Sequence, residues 1–127
     1  MRLMRSTSHG IRILLECAGG ERVTIKRLSE VLDLTESNVT KIIGVLTRAR
    51  LVNATRGRLG GVRLSRPAEA ISIGEVVSAI EGVRLQIEEV ARDRRRAKTV
   101  NDMLDAACDA FVRSLHQYSV AEMAKVR

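Results

Sequence analysis

Apolar positions in the first half of the chain recur at helical spacing in three short segments, each bounded by a cap or a break. From Ser8 onward Ile11, Leu14, Leu15 and Ala18 share one face, and Gly19-Gly20 offers the positive φ at which a helix ends. Thr24 stands where it would cap a second segment with the face Ile25, Leu28, Val31 and Leu32, which stops at the polar break near Asp33. Thr35 would cap a third, in which Val39, Ile42, Ile43 and Leu46 point one way and Ser37, Thr40, Lys41, Gly44 and Arg48 point elsewhere. Two short helices joined by a tight turn, the second with a small, polar and basic outer face, form the arrangement that places a helix in a DNA major groove. The period then changes. Leu51 to Ser65, LVNATRGRLGGVRLS, carries two extended apolar-polar runs around the tip RGRLGG, which predicts a β-hairpin of the kind called a wing.

After Pro67 the pattern returns to helix. Ser72 and Glu75 make the S-x-x-E signature of a capping box ahead of Val76, Val77 and Ile80, with a stop near Gly82. Residues 83–98 alternate charges, end in Arg92, Arg94, Arg95, Arg96 and Lys98, and show little apolar periodicity after Val90, so they predict a mobile, solvated connector and not a second phosphate clamp. Beyond Thr99, Val100, Met103, Leu104, Ala107, Phe111 and Leu115 trace an apolar stripe long enough to need a partner. A second S-x-x-E, Ser119 to Glu122, predicts a last short helix through Val120 and Met123. The organisation expected is therefore residues 1–82 as a winged helix-turn-helix, 83–98 as connector and 99–127 as a dimerisation helix with a C-terminal segment.

Composition agrees with this mainly α fold carrying one small hairpin. In 127 residues there is one Phe, one Tyr and no Trp, so the core must be aliphatic. Charge adds something the pattern does not contain. Of the +7 net charge, residues 1–66 hold 13 Lys or Arg against 5 Asp or Glu, giving +8, and residues 67–127 hold 9 against 10, giving −1. A basic front half seeks a polyanion, with nucleic acid the first reading and an anionic membrane surface the second. Three guanidinium groups, Arg56, Arg58 and Arg63, sit on the hairpin itself. The opening MRLMRSTSHGIRILLECAGG is interrupted by Arg12 and Glu16, so neither a signal-peptide core nor a membrane span is expected, and with two well-separated cysteines the expected location is a reducing cytoplasm.

From Thr24 to Gly82 the sequence resembles the Rrf-two family of bacterial winged-helix transcription regulators, which includes the iron-sulfur cluster regulator, the nitric-oxide-sensing repressor and the cysteine-metabolism repressor. The residues that carry the likeness are the opening MRL with its following Arg, the LVxxxRGxxGGxxL wing, SRP at 65–67, ISIGEVVSAIEG, and the closing QYSVAEMA. The resemblance implies a homodimer that binds double-stranded DNA at an inverted-repeat operator. It implies base contacts from the third helix, here Ser37, Thr40 and Lys41 with Asn38 and Glu36 as neighbours. It implies that Arg56 enters a minor groove, with Arg58 an added charge, and that the long helix pairs with its copy. Members that bind a cluster carry three closely spaced cysteines in the connector, and residues 83–98 contain none. Ser8 stands near the position of their additional acidic ligand and is no carboxylate, so no iron-sulfur cluster or other cofactor is expected.

The remaining chemistry-bearing residues read as structural. Cys17 lies on an inward-facing helix and is expected to be a buried, inert thiol, and Cys108 a small hydrophobe beside the dimer stripe. His9 and His116 lack a third ligand at metal-like spacing. RGRLGG lacks the Gly-Lys-Ser/Thr ending of a phosphate loop, and no nucleophile elbow is present, so an enzyme is not expected. The expectation is a sequence-specific, repressor-type regulator; the alternative is a dimeric winged-helix module that binds a protein and has no operator. The effector is left open.

Overall fold

The computed structural model describes residues 2–82 and 93–126. Six α-helices and one two-stranded antiparallel sheet follow in the order α1 (Arg5–Glu16), α2 (Ile25–Leu32), α3 (Glu36–Arg48), β1 (Val52–Thr55), β2 (Gly61–Leu64), α4 (Ile73–Glu81), α5 (Arg94–Leu115) and α6 (Val120–Ala124), with a 3-10 turn at Ala68–Ala70. The local signals explain most boundaries. Thr24 and Thr35 accept hydrogen bonds from the backbone N–H groups of Arg27 and Asn38, each at 3.1 Å, and so satisfy donors that α2 and α3 would otherwise leave open. Ser72 with Glu75, and Ser119 with Glu122, form complete capping boxes. Burial pushes the Glu75 carboxyl upward, but the Ser72 N–H and the Arg66 guanidinium 2.7 Å away outweigh it and hold it below its ordinary value.

Asp33 takes the left-handed conformation (φ 53°) that closes α2, and Leu34 then returns its N–H to the Ser29 carbonyl at 3.1 Å. That turn leaves Asp33, Leu34 and Thr35 between the two helices. The end of α3 is equally abrupt. Arg50 (φ 60°) is left-handed, its N–H reaches the Thr47 carbonyl, and the N–H of buried Leu51 reaches the Leu46 carbonyl at 2.9 Å. This is a Schellman closure made without glycine, and it sends the chain straight into β1.

The core is aliphatic, as composition requires. Ile13 and Leu14 of α1, Leu28 of α2, Val39 and Leu46 of α3, Val52 and Val62 of the hairpin, Val76 of α4 and Val120 of α6 are fully inaccessible to solvent. The helix α1 runs through the middle and touches α2, α3, α4 and α6. It begins at Arg5, earlier than Ser8, for a reason that local sequence does not contain. The Glu81 carboxylate, from the last residue of α4, accepts from the Met4 N–H and from the Thr7 hydroxyl at 2.6 Å, and Thr7 is fully buried. A distant acid thus takes the place of a local cap and adds a negative charge where the helix dipole favours one.

Two expectations for the second half change. Of the connector predicted at 83–98, residues 83–92 lie outside the described residues, but Arg94–Lys98 form the first turns of α5 and are not a connector. Arg, Ala and Lys are strong helix formers, Ala97 is buried, and Lys98 pairs with Asp102 one turn on at 2.8 Å. Secondly, the stripe predicted as one dimer seam divides into two faces. Phe111 and Leu115 pack against the chain's own core, and Leu104 is half-buried on the same inward face as Ala97 and Cys108, which are buried. Val100, Met103 and Ala107 stay exposed on the outer face, Met103 at 67%. Spacing at 97, 104, 108, 111 and 115 selects the inward face, whereas 100, 103 and 107 fall between those positions. Cys108 therefore packs within its own chain and is not exposed beside the seam.

The helices α4 and α5 meet where Gly74 faces the end of α5. An added Cβ at Gly74 would lie 2.8 Å from the Val112 carbonyl oxygen and 3.0 Å from the His116 nitrogen, both backbone atoms that cannot swing aside. His116 Nδ1 also lies 2.6 Å from the Ser72 hydroxyl, tying the two helices together. Replacing glycine in an exposed helix by alanine stabilises by about 1 kcal/mol, whereas overpacking costs about 1–3 kcal/mol. Gly74→Ala is accordingly expected to lower stability by up to about 2 kcal/mol, measured as a lower urea midpoint at unchanged slope; a raised midpoint would show that α4 and α5 are not held at this separation.

Candidate nucleic-acid interface

The face of α3 that avoids the core is polar from its first turn. Glu36, Ser37, Asn38, Thr40 and Lys41 are all exposed, while Val39, Ile42, Ile43 and Leu46 are buried beneath them. The Thr40 hydroxyl donates to the Glu36 carbonyl at 2.8 Å. Its donor is thus spent inside the helix, and the oxygen lone pair and methyl group remain for an external partner.

Opposite α3 stands the hairpin, paired in the register Val52↔Leu64, Asn53↔Arg63, Ala54↔Val62 and Thr55↔Gly61. Between them lies an open cleft of about 570 Å³. Thr40, Gly44, Thr47 and Arg48 of α3 form one wall, Thr55, Arg56, Gly57 and Arg58 of the hairpin form the other, and Thr24 and Ile25 lie at the start of α2. The wing tip is tightly folded. An added Cβ at Gly60 would come within 2.5 Å of the Thr55 carbonyl oxygen and 2.6 Å of that of Gly57, so only glycine fits. Among the described residues, none of Lys41, Arg48, Arg56 and Arg58 forms an ion pair, which leaves three arginines lining the cleft, and Lys41 on the exposed face of α3, without an acidic partner.

Of the site residues expected from sequence, Thr40, Arg56 and Arg58 line this cleft, and Ser37, Asn38 and Lys41 are exposed on the first turns of α3. Arg63 is not brought to it. It is the exposed residue of β2, directly across from Asn53 near the base of the hairpin, and it lines a separate depression of about 390 Å³ with Gly19, Gly20 and Arg66. The tip lines the cleft with α3, whereas Arg63 shares its depression with Gly19 and Gly20 beyond the end of α1. Conversely, Arg48 belongs to the cleft and was not among the expected contacts, although its spacing from Lys41 and Gly44 had placed it on the same polar helix face.

Neither Cys17 nor Cys108 lines this cleft. Cys17 is completely buried, with its Sγ 3.8 Å from the Val62 carbonyl oxygen, and burial, helped by the negative charge of Glu16, pushes its pKa up to about 11. That shift opposes thiolate formation, as expected for an inert packing residue. Among the described residues no three His, Cys, Asp or Glu side chains are grouped to hold a metal ion, and no helix is long and apolar enough to cross a membrane.

Comparison with known proteins places this geometry. The family model Rrf2, described as an iron-dependent transcriptional regulator, matches residues 3–126. Among solved structures, Staphylococcus aureus CymR in its oxidised form is similar with a TM-score of 0.73 and 23% identity, over 100% of this chain and 98% of that one. Bacillus subtilis CymR (YrzC), the global cysteine regulator, gives 0.75 and 21% over 100% and 98%. IscR of T. potens gives 0.69 and 21% over 98% and 87%. These likenesses establish a shared fold along essentially the whole chain, and the family match goes further: this chain belongs to the Rrf2 family of transcriptional regulators.

Proposed function

We propose that this protein is a sequence-specific DNA-binding transcription regulator of the repressor type, acting as a homodimer on a pseudo-palindromic operator. The observation that carries the reading is the cleft, in which the polar face of α3 and the arginine-bearing wing converge with cations that have no acidic partner in the described chain. A major groove accepts one α-helix, and its base edges offer donors and acceptors that Ser37, Asn38, Thr40 and Lys41 can match. Arg56 reaches the adjacent minor groove, where a guanidinium is favoured by the narrow groove's negative potential. Arg48 and Arg58 hold phosphates, which fix register without reading sequence. Occupying the operator excludes the transcription machinery, which is how such a protein represses.

Dimerisation rests on the outward stripe of α5. Val100, Met103 and Ala107 leave apolar surface in water at intervals of one helical turn, and a second copy related by two-fold symmetry would cover it. Leu104, Phe111 and Leu115 support that stripe from behind. Two wings held this way would meet half-sites about one helical turn of DNA apart, roughly 10 base pairs.

The reading assigns no Cys-ligated iron-sulfur cluster. The family's description is iron-dependent, but this chain has only two cysteines, and Cys17 is held as a buried, neutral thiol in the middle of the core. These residues do not fit the soft, multi-thiolate ligand set that a cluster needs.

Two outcomes are expected. Chromosomal fragments selected by the wild-type protein should bind with a steep salt dependence, a log-log slope of about −0.9 per neutralised phosphate, and Arg56→Ala should weaken binding by about 1–3 kcal/mol. An unchanged gel shift for that variant would remove Arg56 from the interface, and equal, weak binding to every fragment would favour a protein-interaction module instead. Met103→Glu should leave the circular dichroism unchanged, because the side chain is exposed within its own chain, yet convert the protein to a monomer on size exclusion. A dimer peak that persists on dilution would mean that the copies meet elsewhere.

A further inference from the structure

The wing tip carries the arginines on which the proposed DNA reading depends, yet its own side chains do not anchor it. Arg56, Gly57 and Arg58 are exposed, and Leu59 at the apex is 83% exposed. A long guanidinium arm on an unanchored turn would be ordered only on binding, at a cost to affinity. The structure contains a brace that reaches the tip from outside the hairpin. Arg22, in the segment between α1 and α2, donates from its Nη1 to the carbonyl oxygen of Leu59. Its aliphatic stem lies against Gly61, where an added Cβ would come within 2.6 Å of the Arg22 Cγ.

The base of that brace is fixed in turn. Val23, the next residue, exchanges backbone hydrogen bonds with Val62 in both directions, at 2.8 and 2.7 Å, so Arg22 is carried on what amounts to a third edge of the wing. Gly61 has φ of 149°, and with no side chain it lets the Arg22 stem cross the strand on its way to the apex. The Gly60 N–H bonds the Gly57 carbonyl at 2.8 Å, closing the tip from within. Arg22 does not line the cleft between α3 and the wing. Its Nη1 is committed to the tip's backbone at Leu59, and among the described residues it forms no ion pair.

We propose that Arg22 is a positioning residue for DNA recognition: it clamps the apex of the wing so that Arg56 and Arg58 are presented to the duplex already ordered. This rests on the DNA-binding reading above and deepens it. The clamp acts through the wing arginines, so removing it should matter only while those arginines are present.

The test is a double-mutant cycle on the wild-type, Arg22→Met, Arg56→Ala and doubly substituted dimers. Methionine keeps an aliphatic stem against Gly61 and removes the donor. Affinity is measured by fluorescence anisotropy, over a range of salt, on the tightest-bound duplex selected from fragmented chromosomal DNA. Arg22→Met is expected to weaken binding about tenfold alone, the order of loss that ordering one or two side chains produces, and less than about twofold in the Arg56→Ala background. Arg22→Lys, which retains both stem and donor, should recover most of the loss. Without DNA, backbone hydrogen exchange at Arg58–Gly61 should quicken in Arg22→Met while α1 to α3 are unchanged, which separates a loosened tip from a damaged fold. Additive losses, with the salt slope of the double variant reduced by a further unit, would overturn the proposal by making Arg22 a phosphate contact. Wild-type affinity in Arg22→Met, or unaltered exchange at the tip, would overturn it as well. If the wild-type protein itself selected no duplex while exchange at the tip still quickened, the brace would stand and the DNA reading would fall.

Discussion

Val62 is held from both sides. Its side chain is fully buried, its backbone N–H and C=O are both bonded to Val23, and its strand pairs with β1 through the register that sets Ala54 opposite it. A residue so placed cannot shift by one position without turning Arg63 into the core and Val62 into water. The geometry of the wing relative to α3 follows from this constraint, because the buried Leu51 and Val52 join its partner strand β1 to the Schellman closure of α3. The helix is therefore not connected to the wing by a flexible loop. It ends, reverses and becomes the wing within a few residues, with Arg50 carrying the left-handed turn and its carbonyl accepting from the Ser65 hydroxyl at 2.6 Å.

Much of this could be read from the chain. The two helices that frame the turn at Asp33 were visible because threonine caps, apolar spacing and a polar break coincided at Thr24, Leu32 and Thr35, each level of the sequence pointing to the same answer. Both S-x-x-E boxes form as written. The hairpin was legible from the change of period and the glycine-rich tip. What could not be read were interactions between residues far apart. The start of α1 depends on Glu81, 77 positions away from Met4. The bridge between Ser72 and Ser119, with its reciprocal bonds from Ile73 to Tyr118 and Val120 to Ile71, folds the C-terminal segment back onto the core, and neither capping signature announces that the two caps lie side by side.

Apolar spacing along α5 reads as a single stripe, although a helix of 22 residues can bury one face in its own chain and leave an adjacent one apolar and open. Phe111 and Leu115 went inward and Met103 outward, a difference of phase that composition alone does not resolve. Arg94–Lys98 were read as connector for want of apolar spacing, yet intrinsic propensity and the Lys98–Asp102 pair suffice to extend the helix through them. At the cleft, the polar face of α3 was identified correctly as a surface, while the membership of Arg48 and the exclusion of Arg63 depended on how the hairpin bends over it.

On the function proposed above, α3 and the wing form one rigid reading head that contacts two adjacent grooves of DNA together. Hydroxyl-radical footprinting of the wild-type protein on a selected chromosomal duplex reports this directly, because cleavage maps backbone and minor-groove protection nucleotide by nucleotide. Two symmetric sets of protections are expected, each combining phosphates that flank a major groove with a neighbouring minor-groove patch that disappears in Arg56→Ala. A single uninterrupted protection without that patch, or protection that the substitution leaves intact, would contradict it.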